Sequence, residues 1–161
     1  MTDEPISPTP LRRPTSLDAD TIAGWHPIPP EEVFAWWDGP DVEPWVTVAT
    51  DGRLVGYGEL WLDAEENEVE LARLIVAPEL RGRGLGQRLV RVLVAKAAAT
   101  GLATAMLRVE PDNVTAIRCY LSSGFQRLSS EESAQWNEGQ RREWAWMTAT
   151  REQADSLGES V

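Results

Sequence analysis

The 161-residue sequence contains one cysteine, Cys119, and one histidine, His26. One cysteine cannot close an internal disulfide, so a cross-linked secreted scaffold is excluded. One cysteine and one histidine give no zinc spacing, and no metal site is expected. Basic residues are scarce, 15 against 26 acids, for a net charge of −11. That balance argues against a nucleic-acid partner, whose phosphates need a basic face. Long hydrophobic runs are missing as well. The most apolar region, Leu89 to Ala105, is broken by Arg91 and Lys96, so no membrane span is expected. The first residues, Met1-Thr-Asp-Glu-Pro, lack the basic-then-apolar order of a signal peptide. The expected location is cytoplasmic. With 42% hydrophobic and 25% charged residues, the chain reads as one ordinary globular domain.

Tryptophan, by contrast, is abundant: eight residues, against two tyrosines and two phenylalanines. Residues 1–10 carry three prolines and no hydrophobic period, which predicts a flexible arm. Residues 150–161 read as a polar tail, leaving 11–149 as the domain. Within it, Leu11–Arg13 reads as a short strand and Ser16 as the N-cap of a helix over Leu17–Trp25. A second helix starts at Pro29-Pro30-Glu31-Glu32 and runs to Trp37. Trp45–Ala49 and Arg53–Leu62 flank the hairpin signal Asp51-Gly52, and Glu68–Val76 is the next strand. Leu85–Thr100 is the clearest helix, with Leu85, Leu89, Val92 and Leu93 on one face and Gly101 closing it. Ala103–Val109 is a strand, Asp112 caps a helix through Ser123, and Phe125–Leu128 pairs with Arg142–Thr148. The interval 129–141 reads as a loop. The order is β-α-α-β-β-β-α-β-α-β-β, an α/β class fold with helices on both faces of a mixed sheet.

The sharpest local feature is Arg81-Gly82-Arg83-Gly84-Leu85-Gly86, between a strand and the longest helix. Three alternate glycines let backbone N–H groups approach an anion, and a helix N-terminus adds partial positive charge. Between Arg73 and Lys96 six basic residues face one acid, Glu79. The local charge opposes the global charge, which favours a specific anion site. The same hexapeptide also reads as a tight turn entering a solvated helix. It matches neither the Walker loop nor G-x-G-x-x-G.

The wider context resembles the GCN5-related N-acetyltransferase (GNAT) family. The run Glu70-Leu-Ala-Arg-Leu-Ile-Val-Ala-Pro-Glu-Leu-Arg-Gly-Arg-Gly-Leu-Gly86 is similar to its acetyl-coenzyme A block, with Arg81-x-x-Gly84-x-Gly86 after Val76-Ala77-Pro78. A second block, Asn113-Val-Thr-Ala-Ile-Arg-Cys-Tyr120-Leu-Ser-Ser-Gly124-Phe125, follows in the family's order. The resemblance implies a GNAT-like, mostly antiparallel sheet flanked by helices, and an acetyl-CoA-dependent N-acetyltransferase.

It further implies roles for single residues. Leu74, Ile75 and Val76 would align the pantetheine arm, with the Val76 N–H aimed at the acetyl carbonyl. Arg81, Gly82, Arg83, Gly84, Leu85, Gly86 and Gln87 would wrap the pyrophosphate. Asn113 would bind the pantetheine or hold its helix. Tyr120 would protonate the departing thiolate, although on pattern alone it reads as a core tyrosine of an amphipathic helix.

The base is expected to be Glu70, whose strand parity matches Ala72, Leu74 and Val76. Glu59 on the preceding strand is second, and both also read as solvated strand carboxylates. Ribosomal-protein N-terminal acetyltransferases carry a catalytic acid where this chain has Arg108. His26, between Trp25 and Pro27, reads as a loop residue, and Cys119 as a small core residue.

In this family the first helices shape the acceptor site. Trp25, Trp36, Trp37 and Trp45, with acidic neighbours such as Glu31, Glu32, Asp38 and Asp41, would form an amine-binding cleft through cation–π contacts, and Trp36, Trp37 and Glu59 are the expected substrate residues. Ordinary packing is the competing reading. Trp144 and Trp146 share one strand face, as core or as a homodimer interface. The expected acceptor is a primary amine on a small molecule or peptide. The alternatives are a catalytically silent acyl-CoA sensor and a protein N-terminal or lysine acetyltransferase, with the 129–141 loop docking the partner.

Overall fold

The computed structural model describes residues 11–150. The expected arm at 1–10 lies outside the described residues, as does the expected tail beyond Thr150. The chain runs α1 (Ser16–Trp25), α2 (Pro30–Trp37), β1 (Val42–Val48), β2 (Leu54–Asp63), β3 (Glu68–Val76), a 3-10 turn (Pro78–Leu80), α3 (Leu85–Ala99), β4 (Thr104–Val109), α4 (Val114–Ser122), β5 (Gln126–Arg127), α5 (Ser130–Trp136) and β6 (Ala145–Thr150). One six-stranded sheet has the order β1-β2-β3-β4-β6-β5. Only β3 and β4 pair in parallel, and the other neighbours are antiparallel. This is the mixed, mostly antiparallel sheet expected from the sequence.

Helices cover both faces. Ala19, Ile22 and Ala23 of α1 and Val33 of α2 bury with Val46, Tyr57 and Ile75 on one side. On the other, α3 buries Leu85, Leu89, Val90, Leu93 and Val94. At about 1.5–3 kcal/mol for each such side chain, α3 is a principal apolar anchor of the sheet. It lies close upon β2. A Cβ on Gly58 would sit 2.5 Å from Leu93 Cδ1 and 2.8 Å from Leu74 Cδ2, so a larger residue here would force both leucines to shift.

Local details differ from expectation where a side chain captures a helix end. The N-cap of α1 is Thr15 rather than Ser16, because the Thr15 N–H donates to Asp18 Oδ2 at 2.7 Å. The N-cap of α4 is Asn113 rather than Asp112, since Asn113 Oδ1 accepts from the Ala116 N–H at 3.2 Å. The expected first strand reduces to one bridge between Arg12 and Val46. The expected loop at 129–141 contains α5. Ser129 Oγ accepts from the Glu132 N–H at 3.2 Å and donates to the Glu132 carboxylate, also at 3.2 Å. Ser129-x-x-Glu132 is a capping signature readable in the sequence.

Two irregularities shape the middle of the sheet. The parallel ladder between β3 and β4 covers only Glu68–Glu70 against Thr104–Met106. Beyond it β3 follows β2 to Val76 and β4 follows β6 to Val109, so the sheet splits. Second, β3 carries a bulge. Tyr57 pairs with Ile75 and Glu59 with Ala72, so Gly58 faces two residues, Arg73 and Leu74. Arg73 takes the extra position with φ +51°. The bulge reverses the alternation along β3. Leu71 before it and Leu74 and Val76 after it all pack toward the α3 side, while Glu70 points to the opposite face.

Candidate active site

A cleft of about 560 Å³ occupies the split. One wall is Leu74, Ile75 and Val76 at the end of β3. Ala77 N–H donates to Val55 O at 2.8 Å, so strand alternation turns the Val76 and Leu74 N–H groups away from β2, into the split. An unpaired strand edge of this kind accepts an extended chain as another strand would.

The floor is the glycine loop and the start of α3. Arg81, Gly82, Leu85 and Gly86 border the cleft, whereas Arg83, Gly84 and Gln87 stand in the loop and first turn without lining its wall. Gly82 and Gly84 have φ of +82° and +76°, left-handed values that cost other residues energy. Gly84 is the N-cap of α3 and supplies no side-chain hydrogen bond. The N–H groups of the first turn therefore lack a capping partner, and the helix dipole adds to their pull on an anion.

The opposite wall comes from α4. Asn113, Ala116, Cys119 and Tyr120 border the cleft. Asn113 is engaged as the N-cap, the helix-holding role of the two expected for it. Tyr120 packs edge-on against Phe125, with ring centroids 6.2 Å apart. Burial, with a smaller push from Cys119, raises its phenol to about 12, so it stays protonated across the neutral range. Burial also raises the Cys119 thiol, which leaves it protonated and unreactive.

His26 borders the same cleft, and its ring meets Trp36 edge-on at 5.7 Å. It is therefore a cleft residue as well as a loop residue. Burial lowers its pKa, and repulsion from Arg81 and Arg73 adds to the effect. The imidazole is neutral at pH 7 and keeps a lone pair.

A second pocket, about 310 Å³, adjoins the cleft and shares Leu74 and Tyr120 with it. Trp61, Glu70, Arg73, Arg108 and Trp144 form its polar and aromatic wall. The expectation that Glu70 shares parity with Leu74 and Val76 does not hold, because the Arg73 bulge intervenes. Glu70 instead accepts from Arg108 Nε at 2.8 Å and Nη2 at 3.0 Å, a bidentate pair.

Glu59 is fully buried. It accepts from the Tyr57 hydroxyl, from Trp61 Nε1 at 2.7 Å and from Arg73 Nη1 at 2.6 Å. It anchors Arg73 from beneath rather than meeting solvent. Trp37 Nε1 donates to the Tyr57 hydroxyl at 3.0 Å, and the Trp36 ring lies 4.7 Å from the Arg73 guanidinium. The cation expected over Trp36 is thus the protein's own arginine. Neither Trp36 nor Trp37 borders the two cavities. Trp61 and Trp144 do, and sequence pattern had not singled them out for that place. Trp146 is buried within the chain, under Arg108 and hydrogen-bonded to Asn137 Oδ1 at 2.9 Å.

Among the described residues no cluster of His, Cys, Asp and Glu is placed to hold a metal ion. Among them, too, no helix is long and apolar enough to cross a membrane.

Comparison with known proteins gives a consistent family. Residues 12–125 match the Acetyltransferase (GNAT) family. A mycothiol acetyltransferase of Streptomyces griseus is 36% identical over 94 residues, covering 55% of this chain and 31% of the relative. An uncharacterized N-acetyltransferase of Mycobacterium tuberculosis is 35% identical over 81 residues, covering 50% of this chain and 51% of that one. The matched stretch thus spans about a third to a half of these relatives. Among solved structures, spermidine N-acetyltransferase from Vibrio cholerae in complex with CoA and spermine superposes with a TM-score of 0.69 at 18% identity, covering 89% of this chain and 96% of that one. A chimera of that enzyme reaches a TM-score of 0.75 at 17% identity, over 94% and 98% of the two chains.

Proposed function

The chain belongs to the acetyltransferase (GNAT) family, and from that premise we propose that it moves an acetyl group from acetyl-CoA to the primary amine of a small molecule by direct transfer. The observation that carries this reading is the split between β3 and β4. It brings an unpaired strand edge, an uncapped helix start and Tyr120 to one cleft. The residues fit acetyl-CoA, which supplies an activated acyl group and a thiol leaving group. The β3 edge suits its extended arm, and the glycine loop with Arg81 suits its phosphates.

The chain's own groups then divide the chemistry. The Val76 N–H donates to the acyl oxygen as negative charge builds there. The amine nitrogen forms a bond to the acyl carbon, and the carbon–sulfur bond breaks. Tyr120 donates its phenolic proton to the departing sulfur. The amine's proton goes to a base, and His26 is the neutral lone-pair donor bordering this cleft. Glu70 stands on the wall of the adjoining pocket with both oxygens already accepting from Arg108.

The base assignment has a pH signature. Protonation silences His26, so the rate should fall as pH drops through a value below the ordinary 6.5, and His26→Gln should lose that limb. If both proteins instead show a single limb at the amine's own pKa, well above neutrality, His26 is not the base. The function itself is tested by thiol release from acetyl-CoA across a panel of amines. Amine-dependent release is the expected result. Tight acetyl-CoA binding with no release for any acceptor would instead favour the silent sensor.

A further inference from the structure

The pocket beside Tyr120 is lined by two arginines, Arg73 and Arg108, and by one carboxylate, Glu70, whose oxygens both accept from Arg108. Two ion pairs cross its wall, and in both the carboxylate is the buried partner. Glu59 is 0% exposed against 34% for Arg73, and Glu70 is 12% exposed against 29% for Arg108. The aromatic faces that would hold an ammonium are taken as well. Arg73 lies 4.7 Å from the Trp36 ring and 5.2 Å from the Trp61 ring, and Arg108 lies 4.8 Å from Trp146.

Resting on the acetyl-transfer reading above, we propose that the acceptor is a small primary amine that also carries a carboxylate, and that Arg73 binds this carboxylate. Arg73 gives Nη1 to Glu59. A guanidinium has five N–H donors in a fixed fork, so donors remain for an anion in the pocket that Arg73 borders. The fork is held rigid from three directions, by the buried Glu59 carboxylate and by the rings of Trp36 and Trp61. A preorganised guanidinium edge matches a planar carboxylate through two parallel N–H donors. Arg73 occupies the bulge one residue before Leu74, whose side chain borders both cavities. An amine placed at the cleft therefore has the carboxylate site beside it. At about 310 Å³ the pocket stands at the small end of ligand sites, a size for an amino acid rather than a long chain.

Acidic side chains do gather on the same face, as a groove bordered by Asp41, Asp63, Glu65 and Glu68 that meets the pocket at Trp61 and Glu70. Leu74 lies six positions along β3 from Glu68, at most about 20 Å of strand at ~3.3 Å per residue, the bulge at Arg73 shortening it. A short amine held at Tyr120 does not reach Glu68 at the far end of that groove.

The test compares free amino acids, their carboxamides and spermidine as acceptors in thiol release. The wild-type protein should prefer the acids over their amides by roughly ten- to hundredfold in kcat/KM. Arg73→Gln should erase that preference by slowing transfer to the acid much more than to the amide. The acid–amide comparison is made on the unaltered protein and holds whether or not the variant folds. Equal or better use of amides or spermidine by the wild type overturns the proposal while leaving acetyl transfer standing. A preference that survives in a folded Arg73→Gln protein overturns the role of Arg73. Silence with every amine overturns the transferase reading and this inference with it.

Discussion

Tyr120→Phe is expected to lower kcat for acetyl transfer by about 100- to 1,000-fold and to leave acetyl-CoA affinity within about twofold. The substitution removes one hydroxyl and keeps the ring against Phe125. Only the proton donor is lost. Taken alone, the raised phenol at about 12 opposes donation, since an ordinary thiol has a pKa near 8.5. Burial acts on both groups in the same sense, however. A thiolate released into the same cleft is also poorly solvated, and its proton affinity rises with that of the phenol. The sign of the shift also fixes the pH dependence. With its phenol at about 12, Tyr120 keeps its proton through the alkaline range where an unperturbed phenol near 10 would begin to ionise. Steady-state rates and calorimetric affinity on the same preparations check both halves. An unchanged rate removes Tyr120 as the acid.

Much of this arrangement was legible in the sequence, for specific reasons. The helix from Leu85 carries a strong 3.6-residue period and follows a glycine loop that few other structures explain. Asn113, Tyr120 and Gly124-Phe125 keep fixed spacing because they lie on one short helix and its exit. These are local patterns, and local patterns survive reading along one dimension.

The losses were in features that depend on partners far apart in the chain. Glu70 was assigned a face by counting alternate residues, and a single bulge at Arg73 cancels such counting. No glycine marks that bulge, since Arg73 itself adopts the positive φ. Glu59 meets Arg73 across 14 residues, so its burial and full hydrogen bonding were invisible before β2 and β3 were paired. The same pair explains Trp36, whose cation turned out to be internal. His26 reached the cleft through the packing of the α1–α2 connection on the sheet, which no periodicity encodes. The helix α5 is different. Its Ser129-x-x-Glu132 capping signal stands in the sequence, inside a segment whose polar, aperiodic character reads as a loop.

The second large effect belongs to the anion site. Charge reversal at Arg81 and Arg83 replaces two attractive charges beside the loop with two repulsive ones. Both side chains are exposed, so each loss is screened and worth roughly 1–1.5 kcal/mol. Together they amount to about a hundredfold in affinity. The effect should shrink as salt is raised, because screening at about 8–10 Å reaches exposed charges of this kind. Arg81 borders the cleft and Arg83 does not, so Arg81→Glu alone should account for the larger share.

The cleft between β3 and β4 as an acetyl-CoA site is tested most directly by calorimetric titration of acetyl-CoA into the wild-type protein and the Arg81→Glu/Arg83→Glu variant. One site per chain, weakened about a hundredfold by the double reversal, is the expected result. No binding to the wild-type protein, or an affinity that the reversal leaves unchanged, would contradict it.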